Sequence, residues 1–166
     1  MRRTAMRGVL ATGAAAALLS LGAGTSSAGQ SAVYSQLVNV KSGKCLSLAG
    51  GGSTANNTSA IQYTCGSGDE MYWAFDSKGL LNFKNTDKCL STEGGGTANG
   101  TQVLLYTCNS SAEQGWTLYS NGQLVNAKAQ RCLSISGGGS TANNASAILW
   151  DCYADASAHR EQQWAW

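Results

Sequence analysis

The chain has 166 residues, 43% of them hydrophobic and 12% charged, with eleven Lys and Arg against nine Asp and Glu for a formal net charge of +2. Arg2, Arg3 and Arg7 fall in the leading segment, so the rest of the chain carries eight basic and nine acidic side chains and a net charge of −1. That balance excludes the basic footprint of a nucleic-acid-binding domain, and nothing after the leader offers the ~20 apolar residues that a membrane span requires.

The first predicted element is a targeting segment. Three arginines precede an Ala- and Leu-rich stretch running to Leu21, and Ser26-Ser27-Ala28 supplies small residues for cleavage. The Thr and Ala that flank Arg2-Arg3 fit a twin-arginine signal poorly. A signal peptide over 1–28 leaves 138 residues, 29–166, and predicts a secreted protein with no membrane association after cleavage. A chain of that length makes one domain that buries roughly two-thirds of its unfolded surface.

From position 37 the chain says nearly the same thing three times: LVNVKSGKCLSLAGGGSTANNTSAIQYTC, then LNFKNTDKCLSTEGGGTANGTQVLLYTC from 81, then LVNAKAQRCLSISGGGSTANNASAILWDC from 124. Equivalent first cysteines lie 44 and then 43 residues apart, and the repeats run over about 37–79, 80–122 and 123–166. A unit this short cannot bury a core alone, so the copies must pack into one body. Within a copy, Leu37-Val38-Asn39-Val40, Ala60-Ile61-Gln62-Tyr63 and Trp73-Ala74-Phe75 alternate with the period of a strand, and Gly, Asn and Ser clusters separate them. Asn121-Gly122 predicts a tight hairpin turn, with Lys78-Gly79 in the matching place one copy earlier. No stretch after residue 30 holds a helical period. The predicted class is all-β.

All six cysteines follow the leader. An even number in a secreted chain argues for disulfides. Of the fifteen connectivities, the repeat favours pairing within each copy: Cys45–Cys65, Cys89–Cys108 and Cys132–Cys152. Each bridge closes a loop of about 20 residues and contributes about 3 kcal/mol in the loop-entropy view. A zinc site would need Cys-x-x-Cys spacing or several histidines, and the chain has one His, His159. No metal or cofactor is expected.

A period in the forties also suits propeller blades, which need four or more copies and a signature dipeptide that is missing. Position by position, the mature chain instead resembles the ricin B-type (R-type) lectin domain, a β-trefoil also found as a carbohydrate-binding module on bacterial glycosidases. The likeness rests on Cys-Leu in every copy, the Gly and Thr-Ala-Asn loop, the Tyr-Thr-Cys or Trp-Asp-Cys ending, and the Gln-x-Trp close. That close reads Gln114-Gly115-Trp116 and Gln162-Gln163-Trp164, whereas the first copy has Met71-Tyr72-Trp73.

The resemblance implies one shallow sugar site per copy, built on an aromatic platform two residues before the second cysteine: Tyr63, Tyr106 and Trp150. An aromatic face suits the C–H face of a sugar ring at low entropic cost, although read alone these are strand residues with one buried face. The family pattern places Asp directly after Cys-Leu, where this chain has Ser47, Ser91 and Ser134, and usually Asn three residues before the closing Trp, where it has Glu70, Glu113 and Glu161. The polar position four before the second cysteine has become Ile61, Leu104 and Ile148. Either an ancestral copy lost its site before duplicating, or the carboxylate has moved to the opposite wall, with Ser as the hydrogen-bond partner of Glu. The second reading gives three candidate pairs, Ser47/Glu70, Ser91/Glu113 and Ser134/Glu161, facing a glycan or polysaccharide. The competing reading is a trefoil with degenerate sugar sites that binds a secreted protein such as a protease.

The triple glycines lack the following helix and Lys-Ser/Thr tail of a phosphate cradle, so turn geometry accounts for them. Lys44, Lys88 and Arg131, one before each first cysteine, either pair with Glu93 or other carboxylates or solubilise an edge strand. Catalysis is not expected: His159 has no nucleophile elbow to serve, and a pseudo-threefold body is a poor setting for one pair of acids drawn from Asp69, Glu70, Asp151 and Glu161.

Overall fold

The computed structural model describes residues 32–76, 81–83 (backbone only) and 87–166. The leader over 1–28 and the Lys78-Gly79 turn lie outside the described residues. What is described is built from thirteen short strands: β1 (Ser35–Gln36), β2 (Val38–Asn39), β3 (Cys45–Leu48), β4 (Thr58–Tyr63), β5 (Tyr72–Phe75), β6 (Leu81–Phe83), β7 (Lys88–Thr92), β8 (Val103–Thr107), β9 (Trp116–Leu118), β10 (Leu124–Asn126), β11 (Cys132–Ile135), β12 (Ala147–Trp150) and β13 (Trp164–Ala165). Every printed strand pairing is antiparallel.

Each repeat supplies four strands, and the threefold pattern explains their partners. The outer strands join one repeat to the next: β5 pairs with β6, β9 with β10, and β13 returns to β2 through Trp164 opposite Asn39. The inner two form a hairpin in every copy, β3–β4, β7–β8 and β11–β12. These hairpins meet on the pseudo-threefold axis, where Thr58 and Ser59 of β4 pair with Leu105 and Leu104 of β8, and bridges join Ile61 to Ser146 and Gln102 to Ile148. This is the expected all-β trefoil.

The core repeats three times as well. Trp73, Trp116 and Trp164 are fully buried among Leu37, Leu46, Leu90, Leu124 and Leu133. A buried indole N–H needs an acceptor, and each finds the carbonyl of the leucine after a first cysteine: Trp73 Nε1 donates to Leu46 O at 3.1 Å, Trp116 to Leu90 O at 2.9 Å and Trp164 to Leu133 O at 3.1 Å. Cys-Leu and the closing Trp are thus two halves of one contact. The three intra-repeat disulfides form as expected, with Cα–Cα separations of 5.0 Å in each.

Alternation fails in β4, where Ala60, Ile61 and Gln62 are all buried. Gln62 lies between repeats: its Nε2 donates to Ser140 O and Ala142 O at 2.7 and 2.9 Å, and its Oε1 accepts from Ser42 Oγ at 2.8 Å. At Asn121-Gly122 the hairpin forms as a turn in which Gly122 N–H donates to Tyr119 O at 2.9 Å, with Gly122 in the left-handed region at φ +85°.

Candidate functional site

Each hairpin opens one shallow cavity, and the strand register decides what lines it. Ser47 stands opposite Ile61 and Cys45 opposite Tyr63; Ser91 opposite Leu104 and Cys89 opposite Tyr106; Ser134 opposite Ile148 and Cys132 opposite Trp150. The aromatic therefore sits at the disulfide end of the hairpin, and the serine and apolar residue sit two steps deeper. The glycine loop makes one wall and the Glu before the closing Trp makes the other, so the first cavity has Ser47, Tyr63 and Glu70, the second Ser91, Tyr106 and Glu113, and the third Ser134, Trp150 and Glu161. Tyr63, Tyr106 and Trp150 are 41%, 39% and 37% exposed, whereas the closing tryptophans are sealed. The structure thus brings all nine predicted site residues together, three by three.

The glycines serve the wall. Gly52 has φ +83° and Gly139 φ +77°, and a Cβ on Gly139 would lie 2.6 Å from Glu161 Cβ, on Gly52 2.9 Å from Glu70 Cβ. No other residue lets the Glu approach so closely.

The expected Ser–Glu hydrogen bond is not what forms. Ser47, Ser91 and Ser134 are buried as residues, yet among the described residues their hydroxyls have no hydrogen-bond partner, and none is sealed from solvent as Thr92 Oγ1 is. Two of the carboxylates, Glu113 and Glu161, turn instead to a lysine of a neighbouring repeat, because that lysine stands on the loop that crosses behind the glycine wall. Lys41 Nζ lies 3.5 Å from Glu161 Oε2 and donates to Gly138 O at 3.0 Å; Lys128 Nζ lies 3.7 Å from Glu113 Oε2. A buried asparagine sets this crossing: Asn39 Nδ2 donates to Glu161 O at 2.9 Å while its Oδ1 accepts from Lys41 N–H at 3.2 Å, and Asn126 does the same for Glu113 O and Lys128 N–H at 2.9 and 3.1 Å. The signal was present as Asn-x-Lys at 39–41 and 126–128, with Lys84 in the matching place outside the described residues.

The Glu113 carboxyl is held below its ordinary value of 4.5, first by the Ser111 hydroxyl, next by its own backbone N–H, and less by Lys128. The one proton of the Ser111 hydroxyl is donated to Asn109 Oδ1, beside the Glu113 carboxylate it steadies. In the third cavity Glu161 Oε1 also lies 3.3 Å from His159 Nδ1.

The basic residues before the first cysteines do not solubilise an edge. Lys88 Nζ donates to Asn56 Oδ1 at 2.6 Å and Thr107 Oγ1 at 2.9 Å, Lys44 Nζ reaches Thr64 Oγ1 at 3.4 Å, and Arg131 Nε donates to Asn99 Oδ1 at 2.7 Å and pairs with Asp151 at 3.0 Å. Lys88 and Arg131 clamp the Thr-Ala-Asn loops of the preceding copy, and Lys44 holds the Thr64 that such a loop grips. Asn56 Oδ1 accepts from Thr107 N–H at 3.0 Å in the second repeat, Asn99 Nδ2 donates to Asp151 at 2.7 Å in the third, and Asn143 Oδ1 accepts from Thr64 N–H at 3.0 Å in the first. Every loop steadies the aromatic strand of the next copy, in a closed cycle.

A closed three-repeat all-β body with one cavity per hairpin, each with an aromatic at its disulfide end, defines a lectin-type trefoil. The chain belongs to the ricin-type beta-trefoil lectin domain family, whose profile matches residues 33–164. Among solved structures it is similar to ThreeFoil, a designed threefold-symmetric protein, at 28% identity and TM-score 0.70, covering 79% of this chain and 95% of that one. It shares its fold with the C-half of the earthworm R-type lectin, solved with GalNAc, at 14% identity and TM-score 0.65 over 80% of this chain and 95% of that one. The agglutinin of Abrus precatorius aligns at 20% identity and TM-score 0.68 over 81% of this chain and 48% of that one. A comparison with curated proteins returned no match.

Proposed function

We propose that this is a secreted, non-catalytic carbohydrate-binding protein with up to three weak sugar sites that gain avidity when they engage one polymer together. Membership of the lectin family supports carbohydrate binding in general. The observation that carries the finer reading is the threefold recurrence of one cavity: an exposed aromatic face, a serine hydroxyl free of protein partners, and a carboxylate backed by a glycine wall. Tyr63, Tyr106 and Trp150 act as platforms for sugar C–H faces, and Ser47/Glu70, Ser91/Glu113 and Ser134/Glu161 meet the ring hydroxyls from two sides. The lysine beside Glu113 and Glu161 leaves each carboxylate able to accept while cancelling its charge, which suits neutral hydroxyls. One ring and a few wet hydrogen bonds give an affinity on the order of millimolar per site. Three disulfides with no free cysteine among the described residues suit an oxidising, extracellular setting.

The test is retention of residues 29–166 on insoluble polysaccharides, alongside a glycan array. Trp150→Ala and Glu161→Gln should each weaken retention with the melting temperature kept. Retention that both variants leave unchanged would remove these residues from the site. Silence of the folded protein across all glycans would favour the protein-binding reading, in which Ile61, Leu104 and Ile148 replace the lost polar contacts.

A further inference from the structure

The three cavities are not equal, and the difference lies in one segment. Second cysteine and closing tryptophan are eight residues apart in the first two repeats, Cys65 to Trp73 and Cys108 to Trp116, but twelve apart in the third, Cys152 to Trp164. The extra residues form an ordered turn. Asp155 Oδ1 accepts from the backbone N–H of Ser157 at 3.0 Å and of Ala158 at 3.3 Å, and Ala156 is buried beneath. This turn delivers the His159 ring flat against Tyr153, with centroids 3.5 Å apart and planes 13° from parallel.

Tyr153 is fixed from its backbone too, since its N–H donates to Gln162 Oε1 at 3.1 Å and its carbonyl accepts from Gln123 Nε2 at 2.9 Å. Tyr153 is 36% exposed and lines the same cavity as Trp150, three residues away across the disulfide. The matching positions are Gly66 in the first repeat and Asn109 in the second, so among the described residues those cavities have one aromatic each.

From this juxtaposition we infer that the third site is a two-ring subsite pair, Trp150 and Tyr153, that takes two consecutive units of a neutral glycan chain, whereas the first two sites take one. The inference rests on the carbohydrate-binding reading above. The cavity is about 190 Å³, smaller than the other two at about 320 and 400 Å³, and below the ~300–1,000 Å³ of pockets that enclose a ligand. Binding there depends on ring faces rather than enclosure. A preordered second ring adds contact at little entropic cost, because its partner His159 and two backbone hydrogen bonds already hold it. Charge selects against acidic sugars being required: the one carboxylate in the site, Glu161, already has Lys41 at 3.5 Å and His159 at 3.3 Å.

The test uses residues 29–166 carrying Tyr63→Ala and Tyr106→Ala, so that only the third site reports. Calorimetric titration with xylo-, cello-, manno- and galacto-oligosaccharides of one to six units should show, in the series that binds, about a tenfold gain in affinity between one unit and two or three. Tyr153→Ala should bring that ratio close to one, Tyr153→Phe should preserve it, and Trp150→Ala should remove binding at every length. Trp150-dependent binding that is equal for one and three units, or a length gain that survives Tyr153→Ala, overturns the two-ring site and leaves the lectin reading standing. No Trp150-dependent binding in any series, from folded protein, overturns both.

Discussion

The first and third repeats have disulfides that close loops of the same length, glycine walls of the same shape and the same Trp-to-leucine hydrogen bond, yet they close differently. In the third, buried Gln162 holds the chain on both sides of the second cysteine, accepting from Tyr153 N–H and donating to Asp151 O at 2.9 Å. In the second, Gln114 does the same for Asn109 N–H and Thr107 O, at 2.8 and 2.9 Å. In the first, Met71 takes that place, and its thioether accepts from Gly66 N–H at 3.3 Å with no donor to offer in return. The repeat that has elaborated this segment with an insertion and a second aromatic is one that kept the two-sided clamp. A longer wall needs a firmer anchor.

Removal of a disulfide is the bluntest probe of this comparison. Cys45–Cys65 and Cys132–Cys152 both span 20 residues, so replacing either pair with serine should cost about 3 kcal/mol in chemical unfolding. A much larger loss in the third repeat would show that its insertion depends on the bridge. Exchanging the closing residue is sharper. Gln162→Met should cost about 2 kcal/mol, because two partners lose their hydrogen bonds, whereas Met71→Gln should gain about 1 kcal/mol; equal and small effects would show the clamp to be incidental. The second repeat supplies its own asymmetry at Thr92, which stands where the others have Leu48 and Ile135 and whose Oγ1 is buried without a partner. Thr92→Val should stabilise by about 1 kcal/mol in the same assay.

The smallest effect is a pH dependence. Since the Glu113 carboxyl is lowered in the folded state, its contribution to stability is present above the ordinary value of 4.5 and lost as pH falls through the folded value. The Ser111 hydroxyl does most to lower it, so Ser111→Ala should move the Glu113 titration upward in a carbon-detected NMR experiment and flatten the acid limb of stability. An unmoved titration would assign the effect to the backbone N–H and Lys128.

The sequence made the trefoil legible because its strongest constraints are local and written three times. Cys-Leu-Ser, the glycine run and the aromatic before the second cysteine fix which side chains share a hairpin, and strand period alone then places Ser opposite the apolar residue. What could not be read was which copy a residue touches. A repeat shows what each copy contains, but Asn56, Asn99 and Asn143 bond outward to the following copy, and Lys41 and Lys128 serve carboxylates of a copy other than their own. The lysines and arginine before the first cysteines looked like edge protection for the same reason. Gln62 escaped the alternation rule because β4 has no solvent face where three hairpins meet. Tyr153 lay in the segment where the repeats diverge, so no comparison between copies could single it out.

The cycle of Thr-Ala-Asn loops, each gripping the aromatic strand of its successor and the third returning to the first, also governs how the molecule comes apart. A linear array of repeats frays from its ends, since an end unit has one neighbour and an inner unit two. Here every unit has two neighbours and none is terminal, so loosening any one strips support from the aromatic strand of its successor, and through it from the next. Among the described residues, fraying therefore has no cheap starting point. The three cavities should be lost together in a single cooperative transition, and a partly unfolded molecule with one or two cavities intact is a state this architecture leaves unpopulated.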